Sequence, residues 1–190
     1  MDSNEQSLRT VVLVEGTSDQ VAVETLAERC GRDLEAEGVS VTAMGGATNI
    51  AHFLDRYGPS GLDVRLAGLC DIGEEGDFRR GLERAGLGTD LTRSDMESLG
   101  FFVCVSDLED ELIRCLGVDA VEDVIEVHGE LGSFRILQRQ PAQRDRSHEA
   151  QLRRFMGTRS GRKINYARFL VEALDLQHVP LPLDGLLAFL

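Results

Sequence analysis

Residues 11–20 read VVLVEGTSDQ. The first four form a continuous β-branched and aliphatic run, the pattern of a strand buried on both faces. Gly16 permits a tight turn. Thr17 then starts a helix, with Gln20 three residues on as the expected capping-box partner. Val23, Leu26, Ala27 and Cys30 follow at i, i+3, i+4 and i+7, and Gly31 is a suitable stop. Strand, turn and amphipathic helix in this order open a β–α unit, and Glu15 stands where the strand ends.

The rhythm continues down the chain. Residues 39–44 are a second strand, Gly45 and Gly46 a turn, and 47–58 a helix closed by Gly58 and Pro59. Residues 63–70 give a third strand, 71–76 a loop and 77–86 a helix. Residues 94–100 are a short helix with a Ser94/Glu97 capping box, 101–105 a fourth strand, and 106–117 a helix. Strands alternating with helices require right-handed crossovers, hence a parallel sheet covered on both faces. The expected fold class is α/β: about four parallel strands flanked by helices over residues 9–117. A helical, partly basic C-terminal extension follows over 118–190. Within it, 119–129, 150–157 and 165–176 have helical patterning, 135–150 is expected to be a mobile loop, and the apolar end must pack somewhere.

Composition narrows the function classes. Of 190 residues 42% are apolar, enough for a real core. No run approaches the ~18 apolar residues of a membrane span, and the polar start MDSNEQSLRT is not a signal peptide. Cys30, Cys70, Cys104 and Cys115 form no CxxC pair and are expected to be small buried thiols of a cytoplasmic protein. The four histidines lack zinc-ligand spacing. The net charge of −13 is unevenly spread: residues 1–134 carry 10 Arg against 28 Asp and Glu, whereas 135–168 carry 10 Lys and Arg against 2 acids. The basic segment can attract phosphates or pack on its own acidic body, and both can hold together.

Ligands of open α/β sheets gather at the carboxyl ends of the strands. Here strand one ends at Glu15, with Asp19 a turn away. Strand three ends at Asp71, with Glu74 and Glu75 close behind. Strand four ends at Ser106 and Asp107, followed by Glu109 and Asp110. Carboxylates converging on one rim repel unless cations lie between them, and hard oxygen ligands suit Mg²⁺ or Mn²⁺. Taken singly, several have structural explanations: Asp19 favours a helix dipole, and Ser106 with Glu109 makes a capping box. Glu15 and Asp71 are needed by no helix start, so together they mark a metal site. Lys163 is the only lysine among 20 basic side chains. In a chain otherwise restricted to arginine, its compact ammonium suits a role on a single oxygen.

The motifs LVEG with Glu15, and LCDIG with Asp71, resemble a Toprim domain, the metal-binding module of topoisomerases, primases and certain nucleases. The similarity spans roughly residues 9–117. It is greatest to the nuclease branch of the overcoming-lysogenization-defect (OLD) family, through Glu15-Gly16-Thr17-Ser18-Asp19, Gly45-Gly46, Asp107-Leu108-Glu109 and a lysine beyond the sheet, here Lys163. The Toprim pattern Asp-x-Asp after strand three is here Asp71-Ile72-Gly73, so Glu74 or the acids after strand four must replace the second aspartate. No GxxxxGK[ST] loop is present, so the ATPase domain carried by full OLD proteins is expected to be absent.

The resemblance implies metal-dependent phosphodiester hydrolysis of nucleic acid, with DNA the expected substrate. Glu15, Asp71 and Glu74 would hold one Mg²⁺ or Mn²⁺, and Asp19, Asp107 and Glu109 a second, roughly 4 Å away. Glu15 could instead serve as general acid or base. Lys163 would neutralise transition-state charge, and Arg153, Arg154, Arg159 and Arg162 would grip the backbone without reading sequence. Tyr57 and Tyr166 lie in no topoisomerase motif. The alternative is a degenerate, non-catalytic metal- or nucleotide-binding module acting with a partner such as a separate ATPase. A primase-type nucleotide-handling domain is a third reading, and homodimerisation is compatible with all of them.

Overall fold

The computed structural model describes residues 8–159 and 161–190. Four parallel strands form one sheet: β1 Thr10–Val14, β2 Val39–Ala43, β3 Arg65–Asp71 and β4 Phe101–Cys104, in the order β2-β1-β3-β4. Helices α1 Thr17–Arg29, α2 Ile50–Tyr57, α3 Glu75–Arg84, α4 Arg93–Ser98 and α5 Leu108–Leu116 connect and flank them. Helices α6 Val118–Val127, α7 Leu131–Gln138, α8 His148–Met156, α9 Arg162–Ala173 and α10 Leu181–Phe189 complete the chain. This is the α/β architecture expected from the alternating pattern.

The apolar run of β1 is central to the packing. All five of its residues are buried. Val12 and Val14 face one core with α1, α5 and α9, while Val11 and Leu13 face a second core with α2, α3 and α4. Period-2 side chains thus fill both faces, and each buried valine or leucine contributes about 1.5–3 kcal/mol. The first core also takes Phe134, Leu152, Phe155 and Tyr166, so residues beyond 118 share it with the sheet. The apolar C-terminus packs there as well: Leu183 and Leu186 are buried, and Gly185 lies so close to the Phe102 ring that an added Cβ would fall 2.6 Å from it.

Several local expectations are corrected. Helix α1 is N-capped by Gly16, whose N–H donates to the Asp19 carboxylate at 2.9 Å; Gln20 instead bonds Glu24. Helix α4 is capped by Thr92 with Asp95, two residues earlier than Ser94 and Glu97. Asp107, not Ser106, caps α5 by accepting from Asp110 N–H at 2.9 Å. The segment 135–150 is no loop. It holds the end of α7, a short 3₁₀ turn Pro141–Gln143 and the start of α8, with Phe134 and Leu137 buried and Arg135 paired with Glu122. Cys70 and Cys104 are buried thiols as expected, with burial pushing their ionisation up, but Cys30 and Cys115 are exposed. No described helix is long and apolar enough to cross a membrane.

Candidate metal centre

The chain runs from β1 to β2 on one side of the sheet and returns to place β3 on the other side of β1. The crevice between the carboxyl ends of β1 and β3 is therefore the topological switch point, where open α/β sheets bind ligands. Glu15 leaves β1 at this crevice, and Asp71 is the last residue of β3. The Gly45–Gly46 turn after β2 has φ of 71° and 125°, values that side chains rarely adopt. It is tied to the site because Gly46 N–H donates to the Glu15 carbonyl at 3.1 Å.

Glu15, Asp71 and Glu74 converge. One oxygen of each lies within 4.8 Å of the others, and all three are half-buried. Glu74 reaches this position because the β3–α3 connection is a tight turn, closed by its N–H donating to the Asp71 carbonyl at 3.0 Å. Behind it, buried Glu75 binds Arg79 at 2.8 Å and also Arg93, fastening the start of α3 to α4. Glu74, the next side chain along, thus joins the cluster where Gly73 offers no carboxylate. Gly73 itself is exposed.

The electrostatics are those of crowded acids. Burial first, then the charges of Asp19, Asp107, Glu15 and Glu109, push the Asp71 carboxyl up to about 8. Burial also raises Glu15, with Glu74 and Asp19 adding to it and Lys163 opposing. Asp19 is raised by burial against the stabilising Gly16 N–H. Each shift has the same physical origin: ionised oxygens share a partly dehydrated rim without enough positive charge between them.

A second group lies at the start of α5. Asp107 and Glu109 are buried, at 9% and 3% exposure. Asp107 pairs with Arg153 of α8, and Glu109 Oε2 accepts from Lys163 Nζ of α9 at 3.2 Å. Glu109 Oε1 is buried with no hydrogen-bond partner, and burial raises this carboxyl despite the nearby lysine. An orphaned, buried carboxylate oxygen and an all-oxygen donor set fit a hard divalent cation. Lys163, from 54 residues further on, thus enters the acidic rim, and its ammonium is held charged by Glu109 and Asp19 against the cost of burial.

The four arginines expected to face nucleic acid separate into three situations. Arg154 and Arg159 are exposed. Arg153 enters the rim through Asp107. Arg162 is 6% exposed; it pairs with Glu130 at 2.7 Å, donates to Thr158 and the Phe155 carbonyl, and lies 4.0 Å over the Phe155 ring. It braces the α8–α9 corner and does not reach the surface. Arg139, Arg144 and Arg146 of the same basic run are also exposed.

Comparisons with known proteins agree with the fold. Residues 8–72 match the family model described as overcoming lysogenization defect protein-like, TOPRIM domain. The C-terminal region of the Burkholderia pseudomallei OLD protein is 23% identical, with 96% of each chain covered and a TM-score of 0.69. The C-terminal region of the Xanthomonas campestris pv. campestris OLD protein is similar in two structures. The one phased with platinum is 24% identical over 98% of this chain and 93% of that one, with a TM-score of 0.72. The one phased with mercury is 25% identical over 95% and 93%, with a TM-score of 0.69. No curated protein matches the sequence. Residues 8–72 are thus similar to the OLD-like Toprim domain, and nearly the whole chain has the fold of OLD C-terminal regions.

Proposed function

We propose that this protein is a metal-dependent nuclease that hydrolyses phosphodiester bonds in nucleic acid, with DNA as substrate. One observation carries the proposal: Glu15, Asp71 and Glu74 bring carboxylate oxygens within 4.8 Å of one another at the sheet's switch point. No basic side chain pairs with them among the described residues. Glu15, Asp71 and Glu74 would hold one Mg²⁺ or Mn²⁺, and Asp19, Asp107 and Glu109 a second. Bound there, the ions would supply Lewis acidity toward the attacking water and the leaving oxygen.

The chain's own residues have distinct parts in this chemistry. Lys163, with a half-exposed side chain at the rim, can turn its ammonium toward a phosphoryl oxygen and stabilise charge that grows in the transition state. Glu15, with its raised ionisation, is suited to hold or deliver a proton at the ester oxygen if it is not fully engaged as a ligand. Exposed Arg154 and Arg159 flank the α8–α9 corner beside Lys163 and can contact backbone phosphates.

Plasmid cleavage tests the proposal. Supercoiled DNA should be cut with Mg²⁺ or Mn²⁺, and cutting should vanish in Glu15→Ala and Asp71→Ala. Cleavage by those variants at the wild-type rate would refute it. A second reading, a non-catalytic module working with a separate ATPase, is favoured by Gly73 in place of an aspartate. The internal pairing of Asp107 and Glu109 also favours it. It predicts ion binding by calorimetry without turnover until the partner is added.

A further inference from the structure

The rim acids fall into two sets with opposite states of charge compensation. Glu15, Asp71 and Glu74 converge with no basic partner among the described residues. Asp107 and Glu109 are more deeply buried, yet each holds a cation from the chain itself: Arg153 on one and Lys163 on the other. The two cations come from successive helices, α8 and α9, whose corner is braced by buried Arg162 against Glu130. Their side chains are long and about half exposed, at 47% for Arg153 and 49% for Lys163, so they can swing into solvent at little cost.

We propose that the two ion positions are unequal by construction: the Glu15–Asp71–Glu74 position is open in the resting protein, whereas the Asp107–Glu109 position is plugged by Lys163 and Arg153. These must be displaced before a second ion enters. This rests on the two-ion reading above and adds an order to it. The orphaned Glu109 Oε1 supports it, because the plug occupies Oε2 and leaves the other buried oxygen uncompensated. A divalent ion could engage both oxygens. The ammonium released from Glu109 is then available to a phosphate, so second-ion entry and substrate engagement favour each other. Nucleic acid, by drawing Lys163 and Arg153 onto its phosphates, would open the second position, and the ion would in turn free them. Coupling between two such ligands is reciprocal.

Mn²⁺ titration by calorimetry, without nucleic acid, tests this in wild-type protein and in Lys163→Met. Wild type should show one tighter and one weaker step. Lys163→Met should tighten both, since a positive charge is lost, but the weaker step should gain about tenfold more than the tighter one. Arg153→Met should act in the same direction, and melting curves of both variants should show that they are folded. Two equal steps in wild type would overturn the proposal. So would a Lys163→Met protein whose second step is unchanged or weaker, since a lysine that helps hold the ion's ligands would give that result. Absence of any binding in wild type would instead overturn the two-ion reading itself.

Discussion

Lys163 Nζ lies 3.2 Å from Glu109 Oε2, although 54 positions separate the two residues. The contact joins the helical C-terminal part to the acidic rim of the sheet. It places a lysine in contact with Glu109 and close enough to Glu15 and Asp19 that all three feel its charge.

Replacing Lys163 with alanine should lower DNA cleavage by about 100-fold or more, the usual cost of losing one donor to transition-state charge. Stability should change little: the lysine is half exposed, and Glu109, raised by burial, can take up a proton when its partner is removed. Cleavage rates beside melting temperatures check this. Loss of activity together with tighter Mn²⁺ binding would separate a transition-state role from a ligand-holding one.

Stability of the metal-free protein should fall as pH rises through the range set by Asp71. This carboxyl ionises near 4 in an unfolded chain and at about 8 in the fold. Between those values the native state keeps a proton that the unfolded state has lost, so ionising Asp71 works against folding. Melting should therefore occur at a higher temperature at pH 5 than at pH 8, and Asp71→Asn should flatten the difference. Mn²⁺ at about 100 times its Kd should add about 2.7 kcal/mol, roughly 5–10 °C for a chain of this size. The gain should be larger at pH 8, where Asp71 is free to bind the ion.

Gly73→Asp should be accepted and should strengthen ion binding. A Cβ at this exposed position meets no atom within 4 Å, and its φ lies outside the positive range that disfavours side chains. The substitution restores the Asp-x-Asp spacing beside Asp71. Calorimetry should show a tighter first Mn²⁺ step, with the melting temperature of the ion-loaded protein at or above wild type. Weaker binding would mean that Glu74 already fills the position an aspartate here would need.

The arginines should divide between stability and binding. Arg162→Ala removes a buried guanidinium from Glu130, Thr158 and Phe155 and should cost about 3–5 kcal/mol in chemical denaturation. Arg154→Gln and Arg159→Gln should leave stability within about 0.5 kcal/mol. Each that contacts phosphate should weaken DNA binding and reduce the slope of log affinity against log salt by about 1.

Much of the fold was legible because its signals are local. VVLV buried on both faces, the Gly45–Gly46 turn and the β–α rhythm specify four parallel strands without reference to distant residues. Glu15 and Asp71 were legible as a pair because parallel strands must end on one rim. Less legible was whatever depends on contacts across the chain. Residues 135–150 look polar enough for a loop, yet Phe134, Leu137 and Leu152 anchor helices there. Arg162 reads as a surface cation, and only the fold brings Glu130 against it. Helix caps shifted because Asp19 reaches back to the Gly16 N–H, Thr92 and Asp95 bond each other's N–H groups, and Asp107 rather than Ser106 accepts from a first-turn N–H.

Anomalous scattering from a crystal soaked in Mn²⁺ at pH 8 is the most direct measurement. A peak bound by oxygens of Glu15, Asp71 and Glu74 is expected, with a weaker one at Asp107 and Glu109 that appears only as Lys163 and Arg153 turn away. Saturating Mn²⁺ that leaves the Glu15–Asp71–Glu74 cluster without a peak would contradict the metal centre and the nuclease chemistry built on it.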